Sequence, residues 1–147
     1  MSFNKKLGKF TYNVIENHNR ITPYLLKWII KEWKQDIEEF PDQPWSKEWI
    51  ELVHTMEFSL VQLELEIIRL RQDLMEYDNG SYNFSEHLKE RATEMEESIL
   101  RGSSIKPLLV NGENMELMDG YTRYTILKKH KQKLVYVYLG KTEDKKH

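Results

Sequence analysis

Glu116-Leu117-Met118-Asp119-Gly120-Tyr121-Thr122-Arg123-Tyr124 is the stretch on which the reading of the chain turns. Short apolar residues run straight into Asp-Gly and then into a helical pattern, which makes a strand-to-helix corner. The first turn of a helix carries unpaired N–H groups and a partial positive charge, and so favours an anion. Gly120 lets backbone approach a ligand closely. Thr122 adds a hydroxyl donor, and Arg123 adds a planar fork that matches phosphate. Asp119 has three available roles: capping the helix, holding Arg123, or assisting a magnesium ion. The plainer alternative is an ordinary Asp-Gly helix cap followed by a solvated arginine.

Outward from this corner the elements alternate. Downstream, a helix is expected from about Gly120 to His130 and a strand over Leu134–Leu139. Upstream come a strand over Pro107–Val110, an Asn111-Gly112 turn and a strand over Met115–Met118. Asn-Gly between two short apolar runs is a hairpin signal. Before them a helix should begin near Ser85, with Leu88, Ala92, Met95 and Ile99 as its apolar stripe and Gly102 at its C-terminal cap. Tyr77-Asp78-Asn79-Gly80-Ser81 reads as a turn.

The first half has a different character. All four tryptophans (Trp28, Trp33, Trp45, Trp49) precede residue 50. Thr22-Pro23 reads as a helix start, followed by Leu25, Leu26, Ile29, Ile30, Trp33, Ile37 and Phe40 at three- and four-residue steps. Ser46 is the expected cap of a second helix carrying Trp49, Ile50, Val53 and Met56. Ser59-x-x-Gln62 resembles a capping box, yet Leu63, Leu65 and Ile67 alternate with polar neighbours, and a strand is expected near Glu66–Leu70. The expected fold class is α+β: a helical region over 1–60, a mixed sheet-and-helix core over 61–140, and a frayed tail over 141–147.

The order of these pieces resembles the ParB/sulfiredoxin-like family. The residues that carry the resemblance are Glu97-Ser98-Ile99, Gly102, Ile105-x-Pro107-Leu108-Leu109-Val110, Met118 to Tyr124, and Val135-Tyr136-Val137-Tyr138, within residues 85–140. The resemblance points to an archaeal branch and implies nucleotide handling. Members include ParB proteins that bind and hydrolyse CTP, sulfiredoxins that use ATP, and a free serine kinase that uses ADP. In these, the glycine-arginine turn contacts nucleotide phosphates. The kinase's turn reads Asp-Gly-His-Thr-Arg. Asp119, Gly120, Thr122 and Arg123 match it, and Tyr121 stands where the histidine would be. ParB proteins carry two adjacent arginines, and Thr122-Arg123 supplies one. The resemblance therefore implies a cofactor-like nucleotide (ATP, ADP or CTP), with or without Mg²⁺, held by Gly120, Tyr121, Thr122 and Arg123. Asp119 is the catalytic candidate. Asp73, Glu76 and Glu97 are candidates for a general base by residue type alone.

Composition narrows the remaining classes. The chain has 147 residues, enough for one core without metal or disulfide staples. It has no cysteine, which removes disulfides, thiolate nucleophiles, Cys-based zinc sites and sulfiredoxin's own cysteine chemistry. The formal net charge of −2 disfavours nucleic acid as a partner, because duplex binding leans on a basic surplus. Lys128, Lys129, Lys131 and Lys133 around His130 form a basic cluster suited to a helix C-terminus. His18, His54, His87, His130 and His147 show no paired ligand spacing, so no metal held by protein ligands is expected. No apolar run approaches the ~18 residues of a membrane span, and a cytoplasmic protein without a signal peptide is expected. Trp28, off the main stripe, is a candidate for homodimer packing or for stacking on a ligand. Three functions compete: a nucleotide-dependent phosphotransferase or nucleotidase, a nucleotide-responsive regulator or adaptor without turnover, and a scaffold. Arg123→Ala is expected to abolish nucleotide binding and leave the fold intact.

Overall fold

Asn17, not Thr22, starts the longest helix. In the computed structural model, which describes residues 2–143, its side chain accepts a hydrogen bond from the Asn19 N–H at 3.0 Å, and helix α1 runs from His18 to Glu39. Pro23 therefore lies inside α1. It removes one bond to the Asn19 carbonyl, on an exposed part of the helix near its start. The Thr22 hydroxyl serves another purpose: it accepts from the Phe58 N–H at 2.9 Å and pins α1 to the sheet. Ile21, Leu25, Ile29 and Trp33 form the buried stripe of α1 at four-residue steps.

Before α1 lies an element that the sequence reading did not assign. Phe3–Leu7 (β1) and Phe10–Val14 (β2) form an antiparallel hairpin. Phe10, Tyr12 and Val14 alternate inward with period two. The hairpin joins the rest through the Asn13 N–H to the Ile105 carbonyl (2.8 Å) and the Ile105 N–H to the Thr11 carbonyl (2.9 Å).

Helix α2 spans Trp45–Val53 and ends before Met56. Ser46 does not cap it. The Gln43 side-chain oxygen accepts from the Ser46 N–H at 3.0 Å and does that work instead. The Ser46 hydroxyl is fully buried and has no partner among the described residues. A buried hydroxyl without a bond is a net cost. Ser46→Ala is therefore expected to stabilise the protein by about 1 kcal/mol, read as a raised urea midpoint with an unchanged slope. A lowered midpoint would show that the hydroxyl is satisfied.

The expected strand near Glu66–Leu70 lies earlier. Strand β3 covers Met56–Glu64 and pairs antiparallel with β6, Leu134–Thr142, without a register break. That long ladder overrides the local helix-cap signal of Ser59 and Gln62. Leu65–Ile67 then forms one 3₁₀ turn, and Arg69 alone makes a bridge, to Glu116. Residue 60 falls within β3, so the N-terminal and C-terminal regions share one sheet.

The last third follows the expected order. A four-residue helix, α3 (Gln72–Met75), precedes α4 (Phe84–Leu100), whose apolar face includes Leu88, Ala92 and Ile99. Asn83 caps α4 through the Glu86 N–H at 3.0 Å, and Gly102 follows it at φ 106°. Strands β4 (Leu108–Asn111) and β5 (Glu116–Asp119) form the expected hairpin. Helix α5 is Tyr121–Lys129. The four-stranded sheet has the order β3-β6-β4-β5, with β4 and β6 parallel. The mixture of helices and sheet is α+β. One buried cluster joins the hairpin, α1, α2 and the sheet. Lys141 and Thr142, placed in the expected frayed tail, extend β6, and residues 144–147, with His147, lie outside the described residues. Among the described residues, no helix is long and apolar enough to cross a membrane.

Candidate functional site

Strand β5 ends at Asp119, and Gly120 turns the chain at φ 103° into α5. Among the described residues, no side chain caps α5. The N–H groups of Tyr121, Thr122 and Arg123 precede the first intrahelical bond, from the Tyr124 N–H to the Gly120 carbonyl at 2.8 Å. This first turn forms part of the wall of a cavity of about 390 Å³. Three carboxylates (Glu32, Asp36, Asp119) and three cations (Arg91, Lys106, Arg123) also line it, with indoles from α1 and α2.

Each expected site residue has a definite place. Arg123 is held inward. Its Nη2 donates to Asp119 at 2.7 Å, and its Nη1 donates to the carbonyls of Lys106 (2.7 Å) and Pro107 (2.9 Å). Of five guanidinium donors, these contacts use three. The pair is largely shielded, with side-chain exposures of 11% for Arg123 and 22% for Asp119. Arg123 is thus a clamp joining the start of β4 to α5. The expectation that its removal leaves the fold intact is corrected by this geometry. Asp119 takes the arginine-holding role among those open to it. Burial pushes its carboxyl up, while Arg123 pulls it down.

Tyr121 points its hydroxyl into the protein. The hydroxyl donates to the Leu117 carbonyl at 2.8 Å and accepts from the Arg71 N–H at 3.1 Å, tying the 71–75 segment to the sheet. Its ring meets Phe84 edge-on. Thr122 is half-buried on the cavity wall, and its hydroxyl has no hydrogen-bond partner among the described residues. Gly120 is required by packing: a Cβ there would stand 2.8 Å from both Leu108 Cδ2 and Arg123 Nη2.

The carboxylates proposed by type do not gather here. Asp73 pairs with Arg71 at 2.7 Å, and Glu97 pairs with Arg101 on exposed α4. Glu76 caps nothing in the cavity and sits at the exposed end of α3. Besides Asp119, the acids that do line the cavity, Glu32 and Asp36, come from α1, one helical turn apart. Their signal in the sequence was the polar face of that helix, which reads as solvated. Trp28 is half-buried on the cavity wall. The Lys106 ammonium lies 4.4 Å from its ring centroid, and its buried Nε1 has no partner among the described residues. Trp33, Trp45 and Trp49 are buried in the chain's own core. Among the described residues, no group of three or more acids or histidines is placed to hold a metal ion.

The Asp36 carboxylate has no hydrogen-bonding or ion-pair partner among the described residues. Burial, with the charges of Glu39 and Asp119, pushes its pKa from 3.8 to about 6. A carboxyl that binds its proton more tightly when folded favours folding below pH about 4, and this contribution is lost as pH rises to about 6. Asp36→Asn should therefore raise stability at pH 7 by roughly 1–2 kcal/mol, after discount for its partial exposure, and leave it nearly unchanged at pH 3.5. Thermal midpoints of both proteins across that range test this. An equal gain at both pH values would remove the carboxyl as its cause.

No family model matches the chain, and no curated protein matches it. Among solved structures, it is similar to two of a pNOB8-like ParB N-domain. One is 24% identical, with a TM-score of 0.43, over 60% of this chain and 32% of that one. The other is 23% identical, with the same TM-score, over 60% and 29%. The chain spans about a third of the length of those chains. The likeness is one of fold, and the chemistry of the corner rests on its own residues.

Proposed function

We propose that the first turn of α5 binds the phosphate groups of a nucleotide. The observation that carries this reading is a helix N-terminus without a side-chain cap, opening onto a cavity lined by Lys106, Arg91 and the free edge of Arg123. Backbone N–H groups, the helix dipole and nearby cations act together on an oxyanion. The cavity's acids offset part of that field. Glu32 and Asp36 are the acids that a magnesium ion carried in with the nucleotide would meet, and the ion would supply neutralising charge there.

The arrangement favours binding without turnover by Asp119. Its carboxylate is engaged by Arg123 and is not free to take a proton from an acceptor. One observation supports the catalytic reading, a phosphotransferase or nucleotidase: Asp36 lines the same cavity with its pKa near neutrality, as a general base requires.

Thr122→Glu tests the phosphate site without touching the clamp. An acid in the first turn favours the helix itself, yet its charge repels a phosphate in the same place. We expect at least tenfold weaker nucleotide binding by calorimetry, with an apo thermal midpoint equal to or above that of the parent. Undiminished binding would remove phosphate from this corner. Phosphate release or transfer by the parent protein, abolished in Asp36→Asn, would select the enzyme over the regulator.

A further inference from the structure

A second recess adjoins the first. Its volume is about 330 Å³, and it lies between the end of α1 and the segment from Leu74 to Arg91. The two cavities share Asp36, Trp45, Leu74, Phe84 and Arg91, so they meet along a common wall. The rings of Phe40, Tyr77 and Tyr82 line the second recess. Phe40 and Tyr82 are 4.6 Å apart at a 40° tilt, and Phe40 meets Tyr77 edge-on at 5.7 Å. All three rings are half-exposed, and they line the recess together with His87, whose ring stacks on Tyr82 at 4.3 Å.

Gln43 is the informative residue. It is 5% exposed and lines this recess. Its Oε1 is bonded to the Ser46 N–H, which fixes the orientation of the amide. Its Nε2 is buried without a partner among the described residues. A buried donor that finds no acceptor within the protein takes one from outside it, a water or a ligand. Asp36 and Glu39 add acceptors on the same wall.

We propose that this recess holds the base of the nucleotide whose phosphates sit at the α5 corner. This rests on the phosphate reading above and extends it. A nucleobase is a flat ring with donors and acceptors along one edge. Aromatic side chains receive its face and are tolerant of which base it is. Gln43 Nε2 donates to a ring nitrogen or carbonyl, and Glu39 accepts from an amino or imino N–H. A quaternary ammonium would also suit aromatic walls with nearby acids, but it has no acceptor for Gln43.

Calorimetry on the full chain with ATP, CTP, GTP, UTP and inorganic tripolyphosphate separates base from phosphate. We expect at least one nucleotide to bind at least tenfold tighter than tripolyphosphate and to quench tryptophan fluorescence through Trp45, which tripolyphosphate does not do. Gln43→Glu keeps an oxygen for the Ser46 N–H but replaces the free donor with an acceptor. Tyr82→Leu removes one aromatic ring from the wall. Each should bring nucleotide affinity down to that of tripolyphosphate and leave tripolyphosphate binding unchanged. Equal affinity of nucleotides and tripolyphosphate for the parent would overturn the base subsite while the phosphate reading stands. Failure of both to bind would overturn both. Binding of tetramethylammonium in competition with nucleotide, lost in Tyr82→Leu and retained in Gln43→Glu, would assign the recess to an organic cation and overturn the proposal.

Discussion

Arg123→Ala is expected to lower the free energy of unfolding at pH 7 by about 3–5 kcal/mol, the cost of removing one partner from a shielded ion pair. The guanidinium joins three segments. It reaches the Asp119 carboxylate at the end of β5 and the carbonyls of Lys106 and Pro107 just before β4. Alanine leaves all three acceptors without a donor, and the carboxylate is the most expensive of them. Arg123→Lys should fall between the two, because an ammonium cannot reproduce the fork. The loss should also shrink on acidification. Burial already pushes the Asp119 carboxyl up, and removal of Arg123 takes away the main influence holding it down. A carboxyl raised in the folded state adds stability below its unfolded pKa and loses it as pH rises, so the variant recovers part of its deficit toward pH 4. Urea unfolding at pH 4 and pH 7 measures this. A loss under about 1 kcal/mol at pH 7, or one independent of pH, would show that Asp119 and Arg123 are not coupled as described.

This double duty explains what was legible in the sequence at the corner. Asp-Gly-x-x-Arg reads locally as an anion site. The same spacing places Asp119 and Arg123 one helical turn apart, where they meet each other first. A ligand and a clamp call for the same residue types, and only packing separates them. The elements around the corner were legible because their signals are local. Asn111-Gly112 marked the β4–β5 hairpin, and Gly102 marked the end of α4. The N-terminal hairpin carried a signal too, in the alternation of Phe10, Tyr12 and Val14, but it is only five residues long. β3 was obscured by competing local signals, and its extent is set by a partner some eighty residues away in β6. The opposite wall of the cavity was legible only in Trp28, which stands off the main stripe of α1. Trp28, Glu32 and Asp36 face Asp119 only because α1 packs over β3, and no local pattern on α1 reports that.

Gly120→Ala is expected to cost about 2–5 kcal/mol, with or without nucleotide. Two effects add. The backbone at φ 103° is one that L side chains rarely adopt, at roughly 1–2 kcal/mol. The new methyl must also displace Leu108 Cδ2 and Arg123 Nη2, each 2.8 Å away, and such overpacking costs about 1–3 kcal/mol. Leu108 is fully buried in β4 and gives little. The arginine gives more easily, but its movement loosens the bond to Asp119. The two substitutions at this corner should therefore be non-additive. In an Arg123→Ala background, one of the two clashes is gone, and Gly120→Ala should cost at least about 1 kcal/mol less than in the parent. A double-mutant cycle by urea unfolding measures that difference. Strict additivity would mean that the clash is absorbed by Leu108 alone, and that the clamp and the turn are independent. With coupling, the glycine and the arginine form one structural device that builds the turn, and what the device leaves open is the first-turn amides, the Thr122 hydroxyl and the cavity in front of them.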